Sequence, residues 1–118
     1  MTLVDTSVWV DHFRYKNLRL SQLLVDGDVL THPFVIGELA CGFLTKRAEI
    51  LSLLSTLPQI LVAEHGEVLE LLNSHRLYGR GLGWVDTHLL TSAVLSRTPV
   101  WSLDKTLSRV ADALGVTP

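Results

Sequence analysis

A single cysteine, Cys41, stands in 118 residues. One thiol forms neither an intrachain disulfide nor a thiolate zinc cage, and such usage suits a reducing compartment. No uninterrupted apolar run approaches the ~18 residues that a membrane span requires, so a soluble chain is expected. The start, Met1-Thr2-Leu3-Val4-Asp5, lacks a basic flank and meets an acid at its fifth residue, unlike a signal peptide, and a cytoplasmic address is expected. Ten Lys and Arg against twelve Asp and Glu give a formal charge of −2. That balance excludes a protein that holds nucleic acid by charge alone. Proline and glycine occur singly at turns and never as a linker, and nothing repeats at a fixed period. What is present is 47% hydrophobic residues, enough to fill one core, and a single domain over residues 1–118 is expected.

The apolar pattern switches between short continuous runs and helical spacing. Thr2-Leu3-Val4 reads as a buried strand that ends at Asp5 and feeds a helix capped at Thr6-Ser7. Leu18 to Val25 continues as a second helix, which Asp26-Gly27-Asp28 closes. Val29-Leu30-Thr31 is a second strand, and His32-Pro33 turns into the apolar segment Phe34 to Leu44. Lys46 to Leu57 has helical spacing and stops at Pro58. Ile60-Leu61-Val62-Ala63 reads as a third strand, followed by a helix striped with Val68, Leu69, Leu71, Leu72 and Leu77. Gly79-Arg80-Gly81-Leu82-Gly83 breaks that helix. Val85 to Ser96 is helical, Val100 to Leu103 is a fourth strand ending at Asp104, and Thr106 to Gly115 is a last helix. Strands that alternate with helices and read as continuous apolar runs predict an α/β fold, a parallel sheet of about four strands covered on both faces.

In such a sheet the working groups gather at the carboxyl ends of the strands. Asp5 and Asp104 sit at such ends, and Asp86 lies just inside the helix after the glycine-rich break. Glu38 is the only charge in Phe34 to Leu44, where burial without a partner costs several kcal/mol. Each acid alone has a bland reading: an Asp after a strand caps the next helix, and Glu38 points to solvent. Taken together they are harder to dismiss, because two unscreened carboxylates ~4 Å apart repel by about 4 kcal/mol at an effective dielectric near 20. A divalent cation offsets that repulsion. An all-oxygen set without Cys and without a His pair at i, i+4 suits Mg2+ or Mn2+ and argues against zinc. An ion of this kind favours hydrolysis of a phosphodiester. With the four acids set aside, eight acids face ten bases, a modest excess of the right sign for a polyanion.

Leu3-Val4-Asp5-Thr6-Ser7-Val8-Trp9, Glu38 in its apolar helix, Gly83-Trp84-Val85-Asp86-Thr87-His88-Leu89-Leu90-Thr91-Ser92-Ala93 and Trp101-Ser102-Leu103-Asp104 resemble, in order and spacing, the PIN-domain ribonucleases, particularly VapC-type toxins of toxin–antitoxin pairs. The ordered set of four carries the resemblance across essentially the whole chain. It implies a three-layer α/β/α fold and an endoribonuclease dependent on Mg2+ or Mn2+. By carry-over, Asp5, Glu38, Asp86 and Asp104 are the metal-binding and catalytic acids, with Thr6 and Ser102 supporting them through hydrogen bonds. Homodimerisation and a VapB-like antitoxin that covers the cleft are implied as well. Lys105-Thr106-Leu107 after Asp104 departs from the family pattern, where a further acid or an aromatic is often seen, and makes the fourth ligand position the least secure.

Arg80 and Lys105 each adjoin a motif acid and are the first candidates to hold RNA phosphates, which positions a backbone without reading sequence. The glycine-rich break lacks a third correctly spaced glycine and follows a helix, so it is a tight turn and not a nucleotide cradle. Trp9 and Trp84 are candidates for a partner interface or base stacking, Trp101 is expected in the core, His88 at the surface, and Cys41 in the interior. A response-regulator receiver is excluded because the first strand ends in a single acid and residues 52 to 62 hold no Asp. An Asp-x-Asp phosphatase fails because Ser7 occupies the second Asp position. The remaining rival is a non-catalytic PIN-like interaction domain with a decayed site, against which four intact acids speak.

Overall fold

Three parallel strands form the centre of the structure, a computed structural model that describes residues 1–118. β1 (Thr2–Val4) lies between β2 (Val29–Leu30) and β3 (Val100–Trp101), in the order β2-β1-β3. Thr2 pairs with Val29 and Leu3 with Leu30 on one side, and Leu3 with Val100 and Val4 with Trp101 on the other. All three residues of β1 are buried. A strand covered on both faces has no polar alternation, which is why Thr2-Leu3-Val4 reads as one apolar run.

Parallel neighbours cannot be joined by a hairpin, so helices carry every crossover. Helices α1 (Thr6–Tyr15) and α2 (Leu18–Val25) link β1 to β2. Helices α3 (Pro33–Cys41), α4 (Arg47–Ser55), α5 (His65–Ser74) and α6 (Trp84–Ser96) link β2 to β3, and α7 (Lys105–Ala113) follows. The result is the three-layer α/β/α arrangement that the alternating pattern predicts. Twenty-one buried apolar residues form one cluster, including Leu3, Val4 and Val8 from the amino end and Leu107, Val110 and Ala111 from α7.

The sheet has three strands, not about four. Ile60-Leu61-Val62-Ala63 does not form the third strand that the sequence suggests: the residue before it, Gln59, makes one isolated parallel bridge to Thr31. Ile60 N–H donates to the Thr31 carbonyl at 2.9 Å, and Thr31 N–H to that of Pro58 at 3.0 Å. Ile60 and Ala63 are buried, but Leu61 and Val62 are 69% and 42% exposed. The run lies at the sheet edge, where one side faces water and pairing stops.

Two helices owe their form to local chemistry that later positions the site. α3 starts with Pro33 at its first turn, where the missing N–H costs nothing. His32 caps it, its Nδ1 accepting from Phe34 N–H at 2.9 Å. α6 is buried from Thr87 through Ala93. Its hydroxyls are satisfied internally, Thr87 Oγ1 donating to the Gly83 carbonyl at 2.9 Å and Thr91 Oγ1 to that of Thr87 at 2.7 Å. The turn before α6 depends on glycine at two places, Gly79 and Gly81, which have φ of +73° and +83°.

Candidate active site

The first residue beyond β1 is tied to the last residue of β3. Asp5 N–H donates to the Trp101 carbonyl at 2.9 Å, which extends the ladder by one step and sets the Asp5 side chain beside Ser102. Asp5 is 5% exposed, so its carboxylate needs internal donors. Two hydroxyls supply them, Ser7 Oγ and Ser102 Oγ, each donating to Asp5 Oδ2 at 2.7 Å. The two hydroxyls stand 3.2 Å apart. They are fixed in turn by the loop after β3, since Leu103 N–H donates to Ser7 Oγ at 2.9 Å and Asp104 N–H to Ser102 Oγ at 3.0 Å. Both hydroxyls meet the same carboxylate oxygen, and Oδ1 takes part in neither bond.

Each of the other three acids is likewise held by a donor of its own. Glu38 Oε1 accepts from Thr6 Oγ1 at 2.7 Å, a bond that joins α3 to the first residue of α1. Glu38 is exposed, not buried as its apolar neighbours suggest. Val35 and Leu39 are the buried positions of α3, while Phe34, Glu38 and Cys41 lie on its open side. Asp86 Oδ2 accepts from Gly83 N–H at 3.2 Å at the start of α6. Asp104 caps α7, its Oδ1 accepting from Leu107 N–H at 2.9 Å. Asp5 precedes α1 as its N-cap but makes no side-chain cap bond, because its carboxylate is committed to Ser7 and Ser102.

The four acids, far apart in the chain, share one electrostatic environment. Burial raises the Asp86 carboxyl above its ordinary range; the Gly83 amide pulls it back, and the charges of Asp5, Asp104 and Glu38 push it up again. The donors are all oxygens, four carboxylates with the hydroxyls of Thr6, Ser7 and Ser102 beside them, a chemistry that suits a hard divalent cation. No three of these acids close to the separation that grips an ion, because each is turned toward its own donor. The donor set fits Mg2+ or Mn2+ in kind, and Asp5, Glu38, Asp86 and Asp104 would hold the ion through their carboxylate oxygens. Arg80, in the turn before α6, and Lys105, next to Asp104, are both exposed.

Ser7 is the component that sequence reasoning missed. Its signal is a hydroxyl two residues after a strand-end acid, matched by Ser102, which directly follows β3 and stands level with Asp5 in the β1–β3 register. A ring cluster beside Asp86 was also hidden. His88 is 6% exposed and packs edge-on against both Phe34 and Trp84, with centroids 4.7 and 4.9 Å away. Burial, with His65 adding, lowers its pKa, so at neutral pH the ring is uncharged. His88 is therefore an interior residue and not the surface histidine that its place in the motif suggests. Trp9 is 3% exposed and stacks on Phe13, while Cys41 is exposed. Next to Glu38 a groove of about 290 Å³ is lined by Val10, Phe13, Arg14, Leu39, Phe43 and Ile50 among others. Phe43 at its rim is fully exposed.

A parallel sheet between two helical layers, with Asp5 and Asp104 just past the carboxyl ends of neighbouring strands, defines a class, and the comparison with known families agrees: residues 2–113 match the PIN domain, and the chain belongs to that family. The chain is also similar to Ribonuclease VapC32 of Mycobacterium tuberculosis, strains CDC 1551 / Oshkosh and ATCC 25618 / H37Rv. Identity to each is 46% over 117 residues, covering 98% of this chain and 94% of the relative.

Proposed function

We propose that this protein is a PIN-domain endoribonuclease that hydrolyses RNA phosphodiester bonds with Mg2+ or Mn2+, as the toxin of a VapBC-type pair. The observation that supports the reading is the pair of acids that follow the neighbouring strands β1 and β3, Asp5 and Asp104, linked through Ser7 and Ser102; Asp86, its carboxyl raised chiefly by burial, also feels their charges and that of Glu38. Full-length similarity to a protein named a ribonuclease supports the same reaction.

Asp5, Asp86, Asp104 and Glu38 would hold the cation, which when bound supplies positive charge for the phosphate oxygens and acidifies a water. The chain's own residues do the positioning. Ser7 and Ser102 hold Asp5 by Oδ2 and leave Oδ1 clear of both bonds, while Thr6 aims Glu38 across the gap between α1 and α3. Asp5 takes two side-chain donors, while Asp86, Asp104 and Glu38 take one donor each. Arg80 and Lys105, each exposed and near a motif acid in the chain, would hold phosphates of the RNA backbone.

The same reading assigns a VapB-like antitoxin as protein partner, a homodimer as the assembled state, and the cytoplasm as the location. The groove beside Glu38, with the bare Phe43 ring at its rim, supports a partner that covers the cleft. No helix is long and apolar enough to cross a membrane.

The test is RNA cleavage in Mg2+ by the wild type and by Asp5→Asn. The wild type cuts, and the variant loses cutting while its circular dichroism and melting stay those of a folded protein. Equal cleavage by D5N removes the mechanism. An inert wild type at millimolar Mg2+ and Mn2+ makes the chain a PIN-like interaction domain instead.

A further inference from the structure

Of three tryptophans, two are sealed in the interior, Trp9 at 3% and Trp101 at 8% exposure, and the third, Trp84, is 40% exposed. Trp84 opens α6 two residues before Asp86. Its indole is not loose: His88 meets it edge-on at 4.9 Å and 84°, and His65 at 5.0 Å and 51°. Phe34, 37% exposed, leans on the same His88 at 4.7 Å and 67°. Phe34 and Glu38 are four residues apart on α3, hence on one face of that helix. One buried imidazole thus fixes two open aromatic rings, each on the same helix as a proposed ligand acid. Partly exposed aromatic rings fixed by packed neighbours offer apolar surface without the entropy cost of ordering a flexible side chain.

Resting on the ribonuclease reading, we propose that an unpaired base next to the scissile phosphate stacks on the Trp84 indole, with Phe34 completing the platform. A paired base within a helix has both faces covered by its neighbours and offers none to an indole, and a stacking ring accepts any base, so Trp84 contributes affinity for an unpaired base and reads no sequence. Arg80 with Lys105 would hold the flanking backbone phosphates.

Because Trp84 is the one exposed indole, intrinsic fluorescence reports on it directly. A short single-stranded oligouridylate added in EDTA, where no cleavage occurs, quenches the wild type, and an abasic ribose-phosphate chain of the same length does not. In Mg2+, Trp84→Ala raises KM for single-stranded RNA roughly 10-fold, the order of one lost base–aromatic stack, and leaves kcat within about two-fold. Trp84→Phe restores most of the affinity, and both variants melt within a few degrees of the wild type. The proposal is overturned by an unchanged KM in W84A, by equal quenching with the abasic chain, or by equal cleavage of single- and double-stranded RNA. Quenching without any cleavage by the wild type would overturn the ribonuclease reading and leave the stacking platform standing. Cleavage with an indifferent W84A does the reverse.

Discussion

Ser102→Ala tests how the protein keeps a carboxylate at the end of β1. The substitution removes the 2.7 Å bond to Asp5 Oδ2 and leaves Asp104 N–H without the acceptor it has at 3.0 Å. A hydrogen bond to a charged group contributes about 1.5–3 kcal/mol, and a backbone donor left without a partner adds to the loss. Ser7 still donates to the same oxygen and offsets part of it. The expected cost is about 2–3 kcal/mol, which for a chain of this size lowers Tm by roughly 10 °C. Thermal and urea unfolding in EDTA at neutral pH measure it. The same substitution made in Asp5→Asn costs about half as much, since a neutral acceptor roughly halves the bond. A cost below about 0.5 kcal/mol in the wild type, or an identical cost in both backgrounds, refutes the view that the two serines exist to hold this charge.

His32 makes the fold acid-sensitive. Its side chain is fully buried, and burial, with His88 adding, lowers its pKa from 6.5 to about 4. The unfolded chain takes up this proton near pH 6.5 and the folded one only near pH 4, so stability falls as pH drops between those values. By linkage the loss from pH 7.5 to 5 is about 2 kcal/mol. His32→Asn, which keeps a side-chain acceptor for the Phe34 amide, shows a shallower pH profile by that amount, and parallel profiles would rule the assignment out. Asp86 runs the other way. Its carboxyl is raised in the fold, so its charged form costs stability that is absent below its unfolded value and appears as pH rises through the folded one. Without divalent ions, Asp86→Asn therefore melts above the wild type at pH 7.5, and the gap closes toward pH 3. A variant that melts below the wild type at both pH values would contradict this.

Much of the fold and of the acid set was legible because strand ends announce themselves: an apolar run buried on both faces stops at a charge, as at Asp5 and near Asp104. What failed were positions where an element's exposed side is itself apolar. On α3 the outer positions hold Phe34, Gly37 and Cys41, which disguised the helical period and made Glu38 look buried. Ile60 to Ala63 carries four apolar residues, yet half of them face water at the sheet edge. His88 was misread for the opposite reason. A helix buried through seven consecutive residues has no polar face on which to place a histidine. The hydroxyl pair on Asp5 joins residues 95 positions apart, a contact that only the parallel register of β1 and β3 creates.

The central claim is that Asp5, Glu38, Asp86 and Asp104 are costly alone and complementary to a hard cation. Titration of Mn2+ into the ion-free protein, followed by melting of the wild type and Asp86→Asn, tests it most directly. The wild type is expected to gain about 2.7 kcal/mol when the ion reaches a hundredfold its Kd, with D86N overtaken because it gains little. Melting curves of the wild type that ignore the ion, or that shift no more than those of D86N, contradict it.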